Sequence, residues 1–130
     1  MEESSGLASA PVRQILSTCS VDVEMRPNHV VVSVVGELDM ADADHVGRIL
    51  TEAAEAGKSI LRLELAGLTF ADSSAIKAIL VGAQAADERG VTYQLVDPHE
   101  RVKRLLEVTG LANVLTIVDS ATYQEGPNSS

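Results

Sequence analysis

At 130 residues the chain is long enough for one domain and too short for two of ordinary size. Its 45% hydrophobic and 22% charged content is globular, but one Phe, two Tyr and no Trp leave Val, Leu, Ile and Ala to build the core and argue against stacking on bases or sugars. A net charge of -9 sets the chain against nucleic acid and anionic membranes, which are bound through Lys and Arg, and suits a basic or mixed-charge protein partner.

Residues 1–18 are Ser/Ala-rich, contain Pro11 and have an apolar spot only at Ile15 and Leu16, so they read as a flexible arm with at most one helical turn. The acidic start lacks the basic flank and apolar run of a secretion signal, and no apolar stretch approaches the roughly 20 residues that cross a bilayer. A cytoplasmic protein is the expectation. Residues 19–123 form the folded body, and polar residues 124–130 read as a disordered tail. Cys19 is the single cysteine, which excludes an internal disulfide and a paired-cysteine metal or redox site.

Val21, Val23 and Met25 alternate with Asp22 and Glu24, predicting a half-exposed strand. A turn at Arg26-Pro27-Asn28 leads into Val30–Val35, a β-branched run that predicts a central strand covered on both faces. Gly36 breaks the run, and Asp39 or Asp42 is placed to cap the next element. Val46, Ile49, Leu50 and Ala53 recur at helical spacing up to Gly57. Ile60–Leu65 is the next strand, with Leu61, Leu63 and Leu65 on one face. Ile76, Ile79, Leu80 and Ala83 mark a second helix closed by Gly90, followed by a strand at Val91–Val96. Asp97, Pro98 and Glu100 supply the cap, first-turn proline and third-position acid of a helix with a stripe of Val102, Leu105 and Leu106, ended by Gly110. Val114–Val118 is a last short strand. The order β-β-α-β-α-β-α-β predicts a single α/β domain with a mixed, mostly parallel sheet and an N-terminal β-hairpin.

In such sheets functional groups collect in loops at the carboxyl ends of strands. Two loops stand out: Gly36-Glu37-Leu38-Asp39, and Leu68-Thr69-Phe70-Ala71-Asp72-Ser73-Ser74-Ala75, which runs into the start of a helix. These two strings, with Glu107-Val108-Thr109-Gly110-Leu111 at the end of the third helix, resemble the STAS domain of bacterial anti-sigma factor antagonists. The resemblance runs from Val21 to Val118. It implies a partner-switching cycle without catalysis by this chain and without a cofactor. The unphosphorylated antagonist binds an anti-sigma factor that is also a serine kinase of the GHKL type, freeing a sigma factor. ATP-dependent phosphorylation of the serine after the Asp then separates the pair, and a serine phosphatase resets the cycle. In this chain that serine is Ser73, and Asp39 matches the loop aspartate beside it. The partner surface expected from the resemblance comprises Glu37, Asp39, Asp72, Ser73, Ser74, Ala75 and Lys77. A permanent scaffold in a stress-signalling complex or a lipid-transport ATPase is the alternative. The sequence leaves the oligomeric state open.

Relatives usually carry Gly at the position of Ala75, whose methyl is expected to restrict close approach of a kinase backbone. They usually carry a small residue at the position of Lys77, which lies at i+4 from Ser73 on the same helical face and is expected to offset part of a phosphate's charge. Bland roles compete at each position. Ser is a preferred helix cap, and Ser74 is the other acceptor hydroxyl. His29, His45 and His99 lack metal-ligand spacing, and no Gly-x-Ser-x-Gly elbow supports a hydrolase. Arg101, Lys103 and Arg104 read as a solvated basic face, and Asp42, Asp44, Glu52 and Glu55 as a solvated acidic one or as a surface for a basic partner.

Overall fold

In the computed structural model, which describes residues 12–123, the valine-rich run becomes the longest strand of a seven-stranded mixed sheet. The strands are β1 (Val12–Ile15), β2 (Cys19–Met25), β3 (His29–Leu38), β4 (Ile60–Glu64), β5 (Leu68–Ala71), β6 (Thr92–Val96) and β7 (Thr116–Val118). The helices are α1 (Ala43–Ala54), α2 (Ser73–Glu88), α3 (Glu100–Val108) and the single turn α4 (Ser120–Tyr123), with a 3-10 turn at Leu111–Asn113. Spatial order is β1-β2-β3-β4-β6-β7, with β5 added to β3. The pairs β1/β2 and β2/β3 are antiparallel and all others parallel, so the expected hairpin and mostly parallel sheet are both present.

Strand alternation decides the layers. Val21, Val30, Val32, Val34, Leu61, Leu63 and Leu95 are buried on one face, beneath α1 and α2, which pack on each other and on β3 and β6. The opposite face is polar, with Arg13 bonded to Asp22 at 2.8 and 3.0 Å and Arg62 to Gln94 at 2.9 Å. The expectation that Val30–Val35 is covered on both faces is therefore corrected. β3 is central, but Val31 is half-buried and Val35 is 51% exposed, because only one face has helices to bury it.

Three further readings change. Val12–Ile15 is a strand and not part of an arm, held by pairing with β2, by the Arg13–Asp22 bonds and by Gln14 Oε1 at 3.0 Å from His45 Nε2. Residues 1–11 of that arm and the 124–130 tail lie outside the described residues. Leu68–Ala71 is a strand and not a loop. Asp97 does not cap α3: it sits in the left-handed region (φ 51°), which Asp tolerates, and accepts a bond from Ser120 N at 2.9 Å. His99 is the N-cap residue instead.

The two main helices meet the sheet closely at Gly82. A Cβ there would lie 2.7 Å from Tyr93 Oη and 3.1 Å from Leu50 Cβ. Tyr93 cannot yield, because its hydroxyl is the buried end of the side chain and donates to Ile79 O at 3.0 Å. Burial pushes that phenol's pKa well up, so it stays a donor. Overpacking costs about 1–3 kcal/mol, and Ala gains at most about 1 kcal/mol over Gly in helix propensity. Gly82→Ala is therefore expected to lower the stability measured by urea unfolding by up to about 2 kcal/mol. An unchanged or higher midpoint would show that the contact relaxes freely.

Candidate functional site

The two loops singled out in the sequence meet because of how β3 is shared. Its first half pairs with β4 (His29 with Ile60 through Ser33 with Glu64), and its last residues pair with β5 (Glu37 with Phe70, Leu38 with Ala71). The chain steps from one partner to the other at Gly67, whose O accepts from Gly36 N at 2.9 Å. A Cβ at Gly67 would lie 2.9 Å from Val35 Cγ2, so a side chain would push the step away from β3. Gly36 has φ +111°, and a Cβ there would lie 2.7 Å from Thr18 O, so the register shift after it requires glycine. Asp39 and Asp72 then follow directly on paired residues, at the same end of adjacent parallel strands.

Each residue of the second loop has a defined place. Asp72 is the N-cap of α2, and its Oδ1 accepts from Ser74 N at 2.9 Å and Ala75 N at 3.1 Å. The capping role weighed for Ser73 thus falls to Asp72. Ser73 is the first helical residue and is exposed, and its hydroxyl makes no hydrogen bond among the described residues. Ser74 is half-buried. Ala75 is fully buried, so the expectation that its methyl meets a partner is corrected: the methyl packs into the core. Lys77 is exposed one turn beyond Ser73 and has no ion pair among the described residues.

Around the first loop, Glu37 is exposed and Asp39 half-buried. Asp39 Oδ1 accepts from Ala41 N at 3.0 Å, and its backbone O accepts from Asp42 N and Ala43 N, which starts the turn into α1. Asp42 is at the N-cap position but does not cap α1 through its side chain. It is buried, which corrects its reading as a solvated acid: its carboxylate accepts from Ser17 N (3.0 Å), Thr18 N (2.8 Å), Thr18 Oγ1 (3.2 Å) and Cys19 Sγ (3.5 Å). Burial pushes its pKa up, but the bonds from Thr18 and Ser17 outweigh that and hold it at about 2. Burial and the neighbouring Asp42 and Asp39 carboxylates push the Cys19 thiol up to about 12, which keeps it protonated and unreactive. Sequence reasoning also missed the groove of about 750 Å³ between α1 and α2, which opens beside Ser74 and Lys77 and is lined on the α1 side by Met40, Asp44 and Arg48. No helix among the described residues is long and apolar enough to cross a membrane, and no three His, Cys, Asp or Glu side chains come together as a metal site.

An exposed serine, its hydroxyl unbonded among the described residues, thus opens α2 of a single α/β domain, on a helix start capped by Asp72 and at the strand-end rim shared with Asp39. The sequence profile of the STAS domain matches residues 20–123, and the chain belongs to that family. It is 29% identical over 98 residues to the anti-sigma-B factor antagonist of Bacillus subtilis (strain 168), covering 75% of this chain and 89% of that protein. Its fold resembles the anti-sigma factor antagonist SpoIIAA in its unphosphorylated form (TM-score 0.65, 16% identity, 93% of this chain and 98% of that one). It also resembles the Bacillus cell fate determinant SpoIIAA in the phosphorylated form (TM-score 0.58, 17% identity, 85% of this chain and 90% of that one).

Proposed function

We propose that this chain is a cytoplasmic anti-sigma factor antagonist that works by partner switching, with Ser73 as its switch. Unphosphorylated, it docks an anti-sigma factor of the GHKL serine-kinase type through Glu37, Asp39, Asp72, Ser73, Ser74 and Lys77, and so releases a sigma factor. The partner's ATP donates its γ-phosphoryl group to Ser73 Oγ, the hydroxyl proton is lost, and ADP leaves. A serine phosphatase hydrolyses the ester and resets the switch. The observation that carries this reading is the unbonded, exposed Ser73 side chain at the rim shared with Asp39. Its setting explains why the change can stay local: Asp72 fixes the helix start without using the Ser73 hydroxyl.

Incubation with the cognate anti-sigma kinase and ATP is expected to place one phosphate per chain, mapped by mass spectrometry to Ser73. Ser73→Ala is expected to take up none while keeping its unfolding midpoint. Phosphate on Ser73→Ala at the wild-type level would overturn the assignment.

A further inference from the structure

At the helix start that presents Ser73, two of the first-turn amides are already taken and are not open to a phosphate. Anion binding at such an end uses the free N–H groups of the first turn, but Asp72 Oδ1 already holds Ser74 N and Ala75 N. The strand ends and the loop bring Asp39 and Asp72 to the rim that carries Ser73, and the groove beside Ser74 and Lys77 carries Asp44, Arg48, Glu52 and Glu55 on its α1 side. A phosphate on Ser73 therefore enters a rim that already carries the two strand-end carboxylates. Lys77 is the only basic residue in α2, and it lies one turn along the face that carries Ser73. It is exposed and makes no ion pair among the described residues, so its ammonium is not committed to the Asp44, Glu52 or Glu55 carboxylates that line the same groove.

We propose that Lys77 is an intramolecular counter-ion for phosphoserine at position 73, which softens the repulsion felt by a docked partner and sets how completely phosphorylation switches the chain off. This rests on the reading of Ser73 as the modified residue. The phosphorylated surface then presents less net charge to the partner than an uncompensated dianion. The affinity gap between the two forms is correspondingly narrower.

The test uses the full chain with phosphoserine installed at position 73 during translation, so that no kinase is needed. In a phosphorus NMR titration at low salt, the second phosphate pKa is expected to rise by roughly 0.15–0.4 units on Lys77→Gln, the worth of a single i,i+4 pair, because the second deprotonation adds one charge. Lys77→Arg is expected to keep the wild-type value, and the difference is expected to shrink at 1 M salt, where the Debye length falls to about 3 Å. Titration curves that superimpose for wild type and Lys77→Gln at low salt would overturn the proposal. With the cognate anti-sigma factor, Lys77→Gln is expected to widen the ratio of dissociation constants between phosphorylated and unphosphorylated forms by about two- to fivefold, and an unchanged ratio would also overturn it. A pKa difference in a chain that its kinase never phosphorylates would instead uphold the counter-ion and sink the switch.

Discussion

Phosphate on Ser73 is expected to weaken binding of the anti-sigma partner by about a hundredfold, equivalent to roughly 3 kcal/mol. The modification adds about 1.5–2 negative charges to a surface that already holds Asp39 and Asp72. Juxtaposing like charges in a desolvated interface costs several kcal/mol, and Lys77 recovers only part of it. The loss must come from the interface, because the free chain has no reason to refold: the Ser73 hydroxyl has no bond among the described residues to lose, and the α2 cap belongs to Asp72. Ser73→Asp carries a single charge without the bulk, so its effect is expected to be smaller, about tenfold, and to weaken as salt is raised. Calorimetric titration at two salt concentrations, with circular dichroism showing an unchanged fold, checks both. If the phosphorylated chain and Ser73→Asp both bound within about threefold of wild type, the surface would be a permanent dock, as in a scaffold subunit, and not a switch.

The sequence carried the repeating parts of this architecture and missed those with too few residues to repeat. The helical spacing of Val46, Ile49, Leu50 and Ala53 and the alternation of Leu61, Leu63 and Leu65 matched buried faces closely, because each pattern spans several periods. β1 and β5 have four residues each and no period to show. They exist because β2 and the end of β3 offer them partners, which is a tertiary cause. Val35 belongs to a run that reads as doubly buried, yet the layer that would cover it is not there. Both site strings were visible, but their convergence was not, since it depends on the step at Gly67 that hands β3 from β4 to β5. Asp72 and Ser73 were both plausible caps on residue type alone. Only the geometry separates the carboxylate that bonds the helix from the hydroxyl left open. Asp42 was the largest misreading, because a carboxylate among Asp39, Asp44 and other acids gives no sign that three backbone or hydroxyl donors converge on it.

Asp42→Ala is accordingly expected to destabilise the chain more than any surface change near the site, by about 3–4 kcal/mol. Removing the carboxylate strands Ser17 N and Thr18 N in a part-buried turn, and each unsatisfied donor costs roughly 1–3 kcal/mol. Asp42→Asn keeps one acceptor oxygen but turns an amide N–H toward donors, so it is expected to lose about 2 kcal/mol or more. The pH dependence gives the sharper signature. The folded pKa of about 2 lies below the ordinary aspartate value of about 3.9, so the stabilisation is complete above the unfolded value and lost as pH falls toward the folded one. Wild-type stability is thus expected to drop between about pH 4 and pH 2 more steeply than that of Asp42→Asn, whose amide does not titrate. Urea unfolding at pH 7, 4 and 2.5 checks this, and parallel profiles would show that the carboxylate is not held as the four bonds imply. The consequence reaches the docking rim. Thr18, fixed by Asp42, donates to Glu37 O at 2.9 Å and accepts from Glu37 N at 3.1 Å, so the turn that carries Asp39 is braced from below by the same carboxylate.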